Sequence, residues 1–280
     1  MNLARVARTP SELREWIDGD VGLVPTMGAL HDGHLKLIRL SAAENATTVV
    51  SIFVNPLQFN QAEDLEAYPR TFDRDLELAS EAGATIIFAP SEETLYPRGF
   101  ATTVSVAGLT ERWEGAVRPG HFTGVTTVVT KLFTIVRPNR AYFGEKDFQQ
   151  LAVIRRLHAD LDLPGVVVGV PTVREHDGLA LSSRNSRLSK KERRLAKIVP
   201  TTLFAMRERA DRGETDVGAL LAAGHAVLAQ EPAVAVDYLA IVDPITLEPV
   251  ESLARGSVGI IAVRVGETRL IDNLRLRQLL

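Results

Sequence analysis

The 280-residue sequence has no cysteine, and aromatic residues make up only 6% of it. Without cysteine there can be no disulfide, no thiolate metal site and no cysteine nucleophile. No window approaches the run of about 18–20 apolar residues that a membrane span requires. The N-terminal stretch "MNLARVARTPSELREW" turns polar too early for a secretory signal. These absences favour a cytoplasmic protein without a membrane partner.

Neither sign of charge predominates. The chain has 32 Lys and Arg against 35 Asp and Glu, a formal net charge of −3. This balance gives no electrostatic reason to expect nucleic acid as the main partner. Apolar residues are 45% and charged residues 24% of the chain, which is typical of a globular protein. A chain of this length tends to divide into more than one domain.

The first 170 residues alternate short apolar runs with helix-like segments. The runs are rich in Val and Ile and almost continuously apolar, as in strands that are covered on both faces of a parallel sheet. This alternation predicts an α/β fold: a doubly wound, Rossmann-like parallel sheet in an N-terminal domain, residues 1–172. The predicted strands are 21–25, 47–54, 84–90, 140–144 and 165–170, and the predicted helices are 33–44, 71–82, 122–136 and 147–160.

Residues 173–280 lack this alternation and predict a smaller α+β C-terminal domain. The polar stretch "REHDGLALSSRNSRLSKKERR" comes first. The last two predicted strands meet at Gly266 and Glu267, which suits a tight hairpin. The predicted helices are about 189–210 and 215–230, and the predicted strands are 234–243, 257–266 and 268–276.

The segment "PTMGALHDGH" (25–34) follows a predicted strand and opens a predicted helix. Such a junction directs free backbone N–H groups and the positive end of the helix dipole toward one point, where phosphate binds. His31 and His34 are one helical turn apart, so both imidazoles can face the same ligand. A zinc site is one alternative, but it needs at least three protein ligands and this pair supplies two. The other alternative is a polar helix end without function. The preceding strand, the loop and the glycines together favour a phosphate site over both.

Two later segments offer further phosphate-binding groups. "GEKD" (144–147) also joins a strand to a helix, and its Lys146 can act as a point charge on phosphate. Alternatively, its acidic residues are only first-turn acids that the helix dipole favours. "LALSSRN" (179–185) supplies two hydroxyls and a guanidinium. The alternative for this segment is a surface turn, with Ser189 capping the helix that follows.

"MGALHDGH" resembles the HxGH signature of the nucleotidyltransferase superfamily. Five further blocks occur in the order found in the pantoate–β-alanine ligase (pantothenate synthetase) family and are similar to its motifs. Together they cover most of residues 21–190, while the C-terminal third matches in length and general character. The blocks are "FVNPLQF" (53–59), "YPRT" (68–71), "RPGHFTGVTTVV" (118–129), "FGEKDFQQL" (143–151) and "PTVREHDGLALSSRN" (171–185).

The resemblance implies a ligase of pantothenate biosynthesis. ATP and (R)-pantoate would form pantoyl adenylate and pyrophosphate, and β-alanine would then displace AMP to give pantothenate. Mg²⁺ would accompany ATP, and the family suggests a homodimer. Relatives can carry adjacent acids near Arg74 and Asp75 that have been linked to the metal. Because Arg74 replaces one of them here, we assign no protein ligand to the metal.

The resemblance also implies roles for individual residues. His34 would be the proton donor, and Ser182, Ser183 and Arg184 would close over the triphosphate. Val173 would contact adenine through its backbone, and Leu181 stands where relatives often have Met. The predicted catalytic residues are His31, His34, Lys146 and Arg184. The predicted ATP-binding residues are Met27, Gly28, Ala29, Leu30, His31, Asp32, Gly33, His34, Gly144, Glu145, Lys146, Asp147, Val173, Leu181, Ser182, Ser183 and Arg184. Gln58 and Gln150 are predicted to bind pantoate, and Gln58 also β-alanine; secondary candidates are Asn55, Tyr68, Arg118 and His121.

Two other functions compete with the ligase. A superfamily member that transfers a nucleotidyl group to a phosphate would call for additional Lys or Arg where Gln58 and Gln150 stand. A non-catalytic nucleotide-binding module would need ATP affinity without catalytic groups, yet both histidines, Lys146 and Arg184 are present. Both features favour the ligase.

Overall fold

The computed structural model describes residues 3–254 and 256–276. Its strands are β1 Arg5–Ala7, β2 Val21–Thr26, β3 Thr47–Ile52, β4 Ile86–Phe88, β5 Arg140–Gly144, β6 Val166–Val170, β7 Val234–Val242, β8 Val258–Val265 and β9 Thr268–Arg275. Its α-helices are α1 Pro10–Trp16, α2 Asp32–Glu44, α3 Ala62–Glu66, α4 Phe72–Glu81, α5 Glu92–Leu95, α6 Glu114–Val117, α7 His121–Val136, α8 Phe148–Asp160, α9 Lys190–Leu195, α10 Ile198–Asp211 and α11 Val217–Leu228. Short 3₁₀ helices occupy Pro56–Gln58, Glu145–Asp147 and Ser183–Arg187.

The first sheet, as described, has six strands in the order β1-β4-β3-β2-β5-β6, and every pairing in it is parallel. The predicted doubly wound α/β architecture is therefore confirmed. Leu23 and Val24, which are neighbours in β2, are both fully buried but belong to separate hydrophobic cores. One core includes apolar residues of α7 and α8, and the other includes residues of α2 and α4. Burial on both faces explains the nearly continuous apolar runs.

The strand order reverses beside β2. Both β3 and β4 lie on one side of it, whereas β5 and β6 lie on the other. In an open α/β sheet, ligands bind outside the carboxyl ends of the strands at such a reversal. The segments that follow β2 and β5 therefore leave the sheet where a ligand crevice is expected.

The second sheet is a three-stranded antiparallel sheet in the order β7-β8-β9. The predicted hairpin is confirmed: Val265 pairs with Thr268, and Gly266 has a φ of +56°. The predicted helix 189–210 is instead two helices, α9 and α10. Buried residues of α10 and β8, among them Leu203 and Ile261, form the core of this α+β part.

The described residues form two compact units. One runs up to Glu145 and resumes over Gln149–Pro171, while the other takes Lys146–Phe148 and the chain from Thr172 onward. The parallel sheet belongs to the first unit and the antiparallel sheet to the second.

Candidate active site

A tight turn connects the end of β2 at Thr26 to the start of α2 at Asp32. Gly28 has a φ of +79° and Ala29 a φ of +50°, which is unusual for a residue with a side chain. The turn ends at His31, the N-cap of α2, and His34 lies in the first turn of that helix. The predicted strand-to-helix corner is therefore present.

The two imidazoles stack on each other, with ring centroids 4.1 Å apart and planes inclined by 29°. The Nδ1 of His31 accepts a hydrogen bond from the backbone N–H of Gly33 at 3.1 Å, and the Nδ1 of His34 accepts one from the N–H of His31 at 3.4 Å. A ring nitrogen that accepts carries no proton, so each neutral ring carries its proton on Nε2. The helix cap thus selects, in both rings, the tautomer with its proton on Nε2.

Five backbone N–H groups of this corner, those of residues 28–31 and 33, are engaged within the protein, so they are not the free donors that the sequence led us to expect; phosphate binding at this corner stays a prediction. Gly28 donates to the Thr26 hydroxyl at 3.1 Å, and both Ala29 and Leu30 donate to the Asp75 carboxylate. The N–H groups of His31 and Gly33 donate to the two imidazoles. In this corner the side chains, more than the main chain, can meet an anion.

The other residues predicted in this corner have simple placements. Asp32 is exposed in the first turn of α2, where an acid suits the helix dipole. The Leu30 side chain is buried in the core that includes α2 and α4. Met27 is half-buried. The Leu30 side chain is therefore part of the core and is not available to a ligand.

The "GEKD" segment follows β5, the parallel neighbour of β2. Gly144 is the last residue of β5, and residues Glu145–Asp147 form a 3₁₀ turn that leads into α8. Because both strands run in the same direction, Gly144 and Glu145 leave the sheet at the same edge as the His31 turn. The Nζ of Lys146 lies 3.5 Å from the Asp147 carboxylate, a loose contact on a mostly buried side chain.

Gln58 lies in a buried hydrogen-bond network beyond the end of β3. Asn55, which is 1% exposed, donates from Nδ2 to the Gln58 Oε1 at 2.9 Å and to the carbonyl of Gly124 at 3.0 Å. The Tyr96 hydroxyl donates to the Asn55 Oδ1 at 2.8 Å. These bonds fix the Gln58 amide so that its oxygen is engaged and its N–H groups are what it can offer a ligand.

Two residues of the 118–129 block hold the same segment. A Cβ at Gly124 would overlap the carbonyl of Leu57, so only glycine lets α7 pack this closely on residues 57–58. His121 is not the cap of α7, because Gly120 occupies that position. Its Nδ1 instead donates to the Gln58 carbonyl at 2.8 Å, and its Nε2 accepts from Arg118 at 3.2 Å. Sequence reasoning missed Gly124, although a glycine inside an apolar helix is a signal of close packing.

The two glutamines of α8 differ in their surroundings. Gln149 is buried and binds the loop before α6: its Nε2 donates to the carbonyls of Leu109 and Arg112, and its Oε1 accepts from the N–H of Glu114. Gln150 is half-buried in the first turn of α8. The family resemblance singled out Gln150, whereas composition and spacing gave no role to Gln149; its hydrogen bonds make Gln149 a supporting residue.

The "LSSRN" segment forms a short 3₁₀ helix, residues Ser183–Arg187. The Ser182 hydroxyl caps it by accepting from the N–H of Arg184 at 3.2 Å, and Ser183 is exposed. The N–H of Leu181 donates to the carbonyl of Val173 at 2.9 Å, which ties the two predicted ATP contacts together. Ser189 caps α9 through its hydroxyl, as predicted.

A small pocket of the second unit brings three predicted residues together, because Lys146, Ser182 and Arg184 all line it. Asp272 and Asn185 line it too. Within the described residues, the Asn185 Oδ1 is a buried oxygen without a hydrogen-bond partner. Such an atom is costly unless a ligand or water satisfies it. With Arg269, the pocket therefore combines three cations with a carboxylate, a hydroxyl and an unsatisfied acceptor.

Residues of β9 support this pocket. Asn273 donates from Nδ2 to the carbonyl of Lys146 at 2.8 Å, which fixes the main chain below that lysine. The Asp272 side chain is 1% exposed, and both of its oxygens accept from the Arg174 guanidinium, at 2.7 and 3.0 Å. Burial raises the pKa of the Asp272 carboxyl, and the neighbouring Arg174 opposes that rise.

An ion-pair cluster anchors the segment before α9. Arg193 donates to Glu175 at 2.7 Å and to Asp177 at 2.8 and 3.0 Å. The hydrogen bond from Arg193 lowers the pKa of Asp177 to about 2. Glu175 also accepts from Asn185 Nδ2 at 2.9 Å, which links the cluster to the loop of Ser182 and Arg184.

Asp75 stands at the position where relatives can carry acids linked to the metal, but its carboxylate is directed at the protein's own main chain. Both oxygens of Asp75 accept main-chain N–H groups, and Arg74 is exposed on α4. Among the described residues, no group of three or more His, Asp or Glu side chains is arranged to hold a metal ion. The zinc alternative for His31 and His34 consequently lacks a third ligand.

The fold and the site together define a Rossmann-like α/β protein whose HxGH corner lies at the strand-order reversal, an arrangement of nucleotide-binding enzymes. Comparison with known proteins specifies the family. The sequence model of the pantoate-beta-alanine ligase family matches residues 5–275. A pantothenate synthetase from Thermus thermophilus is 55% identical over 272 residues, covering 96% of this chain and 98% of that protein. The chain belongs to the pantoate–β-alanine ligase family.

Solved structures agree with this assignment. The crystal structure of pantothenate synthetase from Thermus thermophilus superposes with a TM-score of 0.93 at 54% identity, covering 98% of this chain and 99% of that one. Pantoate-beta-alanine ligase from Francisella tularensis, crystallised with β-γ ATP and β-alanine, gives a TM-score of 0.78 at 31% identity, with 98% of each chain covered. In the part of the chain described, no helix is long and apolar enough to cross a membrane.

Proposed function

We propose that the chain catalyses the ATP-dependent condensation of (R)-pantoate with β-alanine to pantothenate, through a pantoyl adenylate. The observation that carries this proposal is the stacked imidazole pair at the carboxyl end of β2, in a chain that matches one ligase family over almost its whole length. The ATP and β-alanine of the Francisella tularensis complex are two of the three substrates required.

A carboxylate resists attack by an amine because its oxygen is a poor leaving group. In the first step, a pantoate carboxylate oxygen attacks the α-phosphorus of ATP, the bond to the β-phosphate oxygen breaks, and pyrophosphate leaves. Such a displacement depends on positioning and on stabilising the charge that develops. The Nε2–H groups of His31 and His34 are suited to that charge, because the helix cap holds both rings in the donating tautomer.

The remaining predicted residues have proposed roles at the same reaction. Lys146 and Arg184 supply positive charge to the phosphates, and Ser182 and Ser183 supply hydroxyl donors. Gln58 and Gln150 hold pantoate through their amides. The neutral β-alanine amine then attacks the acyl carbon near Gln58: a C–N bond forms, the C–O bond breaks so that AMP leaves with the electron pair, and the nitrogen loses a proton to solvent.

The broader assignments are proposals of the same kind. Residues 1–172 would form the nucleotide- and pantoate-binding domain, and residues 173–280 a lid domain. We also propose a cytoplasmic homodimer. Mg²⁺ would arrive with ATP and be held mainly by phosphate oxygens and water, since the described residues hold no group of three or more acidic or histidine side chains for it.

The test is a two-stage assay. Purified protein is incubated with ATP, Mg²⁺ and (R)-pantoate, and pyrophosphate is measured; β-alanine is then added, and AMP and pantothenate are measured. We expect pantoate-dependent pyrophosphate release, followed by β-alanine-dependent AMP. ATP binding without pyrophosphate release would favour a nucleotide-binding module, and release that depends on a phosphorylated acceptor would favour another nucleotidyltransferase.

A further inference from the structure

Asp75 is a buried carboxylate on a helix whose neighbouring charges are exposed. It lies near the start of α4 and is 1% exposed, whereas Asp73 and Arg74 are exposed to solvent. A carboxylate is costly to bury unless its oxygens are satisfied. The contacts of Asp75 therefore indicate what it does.

Each oxygen of Asp75 accepts a main-chain N–H from the turn between β2 and α2. The Oδ2 accepts from Ala29 at 2.9 Å, and the Oδ1 accepts from Leu30 at 2.8 Å. The Thr71 hydroxyl also donates to Oδ2 at 3.1 Å. One side chain thus satisfies two consecutive amides that lie 46 and 45 residues earlier in the chain.

The turn is shaped around this carboxylate. Ala29 is held at a φ of +50°, a conformation that a residue with a side chain rarely adopts without support. A Cβ at Gly28 would lie 2.9 Å from the Asp75 Oδ2, so glycine lets the turn approach the carboxylate. The next residue after Leu30 is His31, whose ring caps α2.

We propose that Asp75 is a positioning residue for the nucleotide-binding turn and not a metal ligand. It holds residues 28–30 in the one conformation that delivers His31 and His34 to the phosphates. Its two oxygens are directed at the protein's own amides, which leaves the carboxylate inside the turn's hydrogen-bond network. This inference rests on the proposed function, because it assigns Asp75 a place in that reaction.

The test variant is Asp75→Asn, which keeps the shape but presents one acceptor and one NH₂ group. One of the two turn amides then faces a donor. A misplacement of about 1 Å at a catalytic group can lower a rate about 10²-fold. We expect pantoate-dependent pyrophosphate release to fall about 10²-fold, while the KM for pantoate stays within about twofold. The matched control is Asp73→Asn, an exposed acid on the same helix that should keep wild-type rates.

Two readouts separate positioning from other roles. Excess Mg²⁺ should not restore the Asp75→Asn rate; restoration would indicate a lost metal ligand and overturn the proposal. Amide hydrogen exchange at Ala29 and Leu30 should accelerate in the variant, with no change in β3. A variant with wild-type rate and wild-type exchange would also overturn it.

The exchange readout keeps this inference distinct from the proposed function. If the wild-type protein released no pyrophosphate, the function would fail while the exchange comparison still tested the turn. If Asp75→Asn did not fold, Thr71→Val would serve instead. That variant removes only the hydroxyl bond to Oδ2, and we expect a smaller loss of rate with faster exchange at Ala29. Unchanged exchange in Thr71→Val would count against the network.

Discussion

Replacing Arg174 with methionine should reveal how much the second unit depends on one buried ion pair. Besides both oxygens of Asp272, the guanidinium binds the carbonyls of Gly178 at 2.9 Å and Asn273 at 3.0 Å. Arg174→Met keeps an unbranched apolar stem and removes all four bonds. The Asp272 carboxylate, on a side chain that is 1% exposed, is then left buried without this cation.

The expected loss in the free energy of unfolding follows from the burial of Asp272. Breaking a buried pair by removing one partner costs about 3–5 kcal/mol, because the remaining charge is uncompensated. For a domain of this size, such a loss lowers the melting temperature by about 10 °C. An exposed pair provides the control: Arg212 and Glu208, at the end of α10, are mostly solvated, so Arg212→Met should cost less than about 1 kcal/mol.

The loss should also depend on pH, with a definite sign. Burial already raises the pKa of Asp272, and removing Arg174 raises it further. An acid whose folded pKa exceeds its unfolded value loses stability as pH rises from the unfolded value through the folded one. The deficit of Arg174→Met should therefore be smaller at about pH 5 than at about pH 8.

The assay is urea unfolding followed by circular dichroism at both pH values. Adding Asp272→Asn to the variant removes the buried charge and should recover part of the loss, as a double-mutant cycle measures. A loss below about 1 kcal/mol, or a deficit that is the same at both pH values, would refute the reasoning.

Three further predictions concern the reaction and acid stability. His34→Ala should lower pyrophosphate release roughly 10²- to 10⁴-fold with little change in the urea midpoint, and near-normal turnover would contradict its role. Gln150→Ala should raise the KM for pantoate about tenfold but not that for ATP, since one hydrogen bond is worth about 1–1.5 kcal/mol. Equal effects on the two KM values would contradict the assignment of Gln150 to pantoate. Arg193→Met should lower the free energy of unfolding by about 1 kcal/mol above about pH 4, after allowance for solvent screening. The wild-type pKa of Asp177 is about 2, below its usual 3.8, so this advantage is lost as pH falls toward 2. A difference between the two proteins that persists at low pH would argue against the pairing.

The parallel sheet could be predicted because its strands are buried on both faces. The strands β2, β3 and β5 are short apolar runs that local composition reveals. By contrast, β1 has three residues, Arg5–Ala7, too few to show any pattern. The break between α9 and α10 was missed despite a signal: Pro200 lacks an N–H and is tolerated only in a first turn, so a helix must begin just before it.

The sequence could predict which segments form the site, but it could not predict which groups accept the hydrogen bonds within it. HxGH spacing places His31 and His34 on one turn of helix from local geometry alone. Nothing local shows that Asp75 accepts the amides of the same turn, because that contact spans 46 residues. Likewise, nothing local shows that Gln149 binds the loop before α6, because those contacts span 37 and 40 residues.

The division into two compact units has a consequence for spectroscopy. Both tryptophans of the chain, Trp16 and Trp113, belong to the first unit. Indole emission is accordingly a reporter for the parallel-sheet unit alone. With no native thiol to compete, a single cysteine introduced on the surface of the second unit could carry a fluorophore. Indole emission and fluorophore emission would then report separately on the two units during one nucleotide titration.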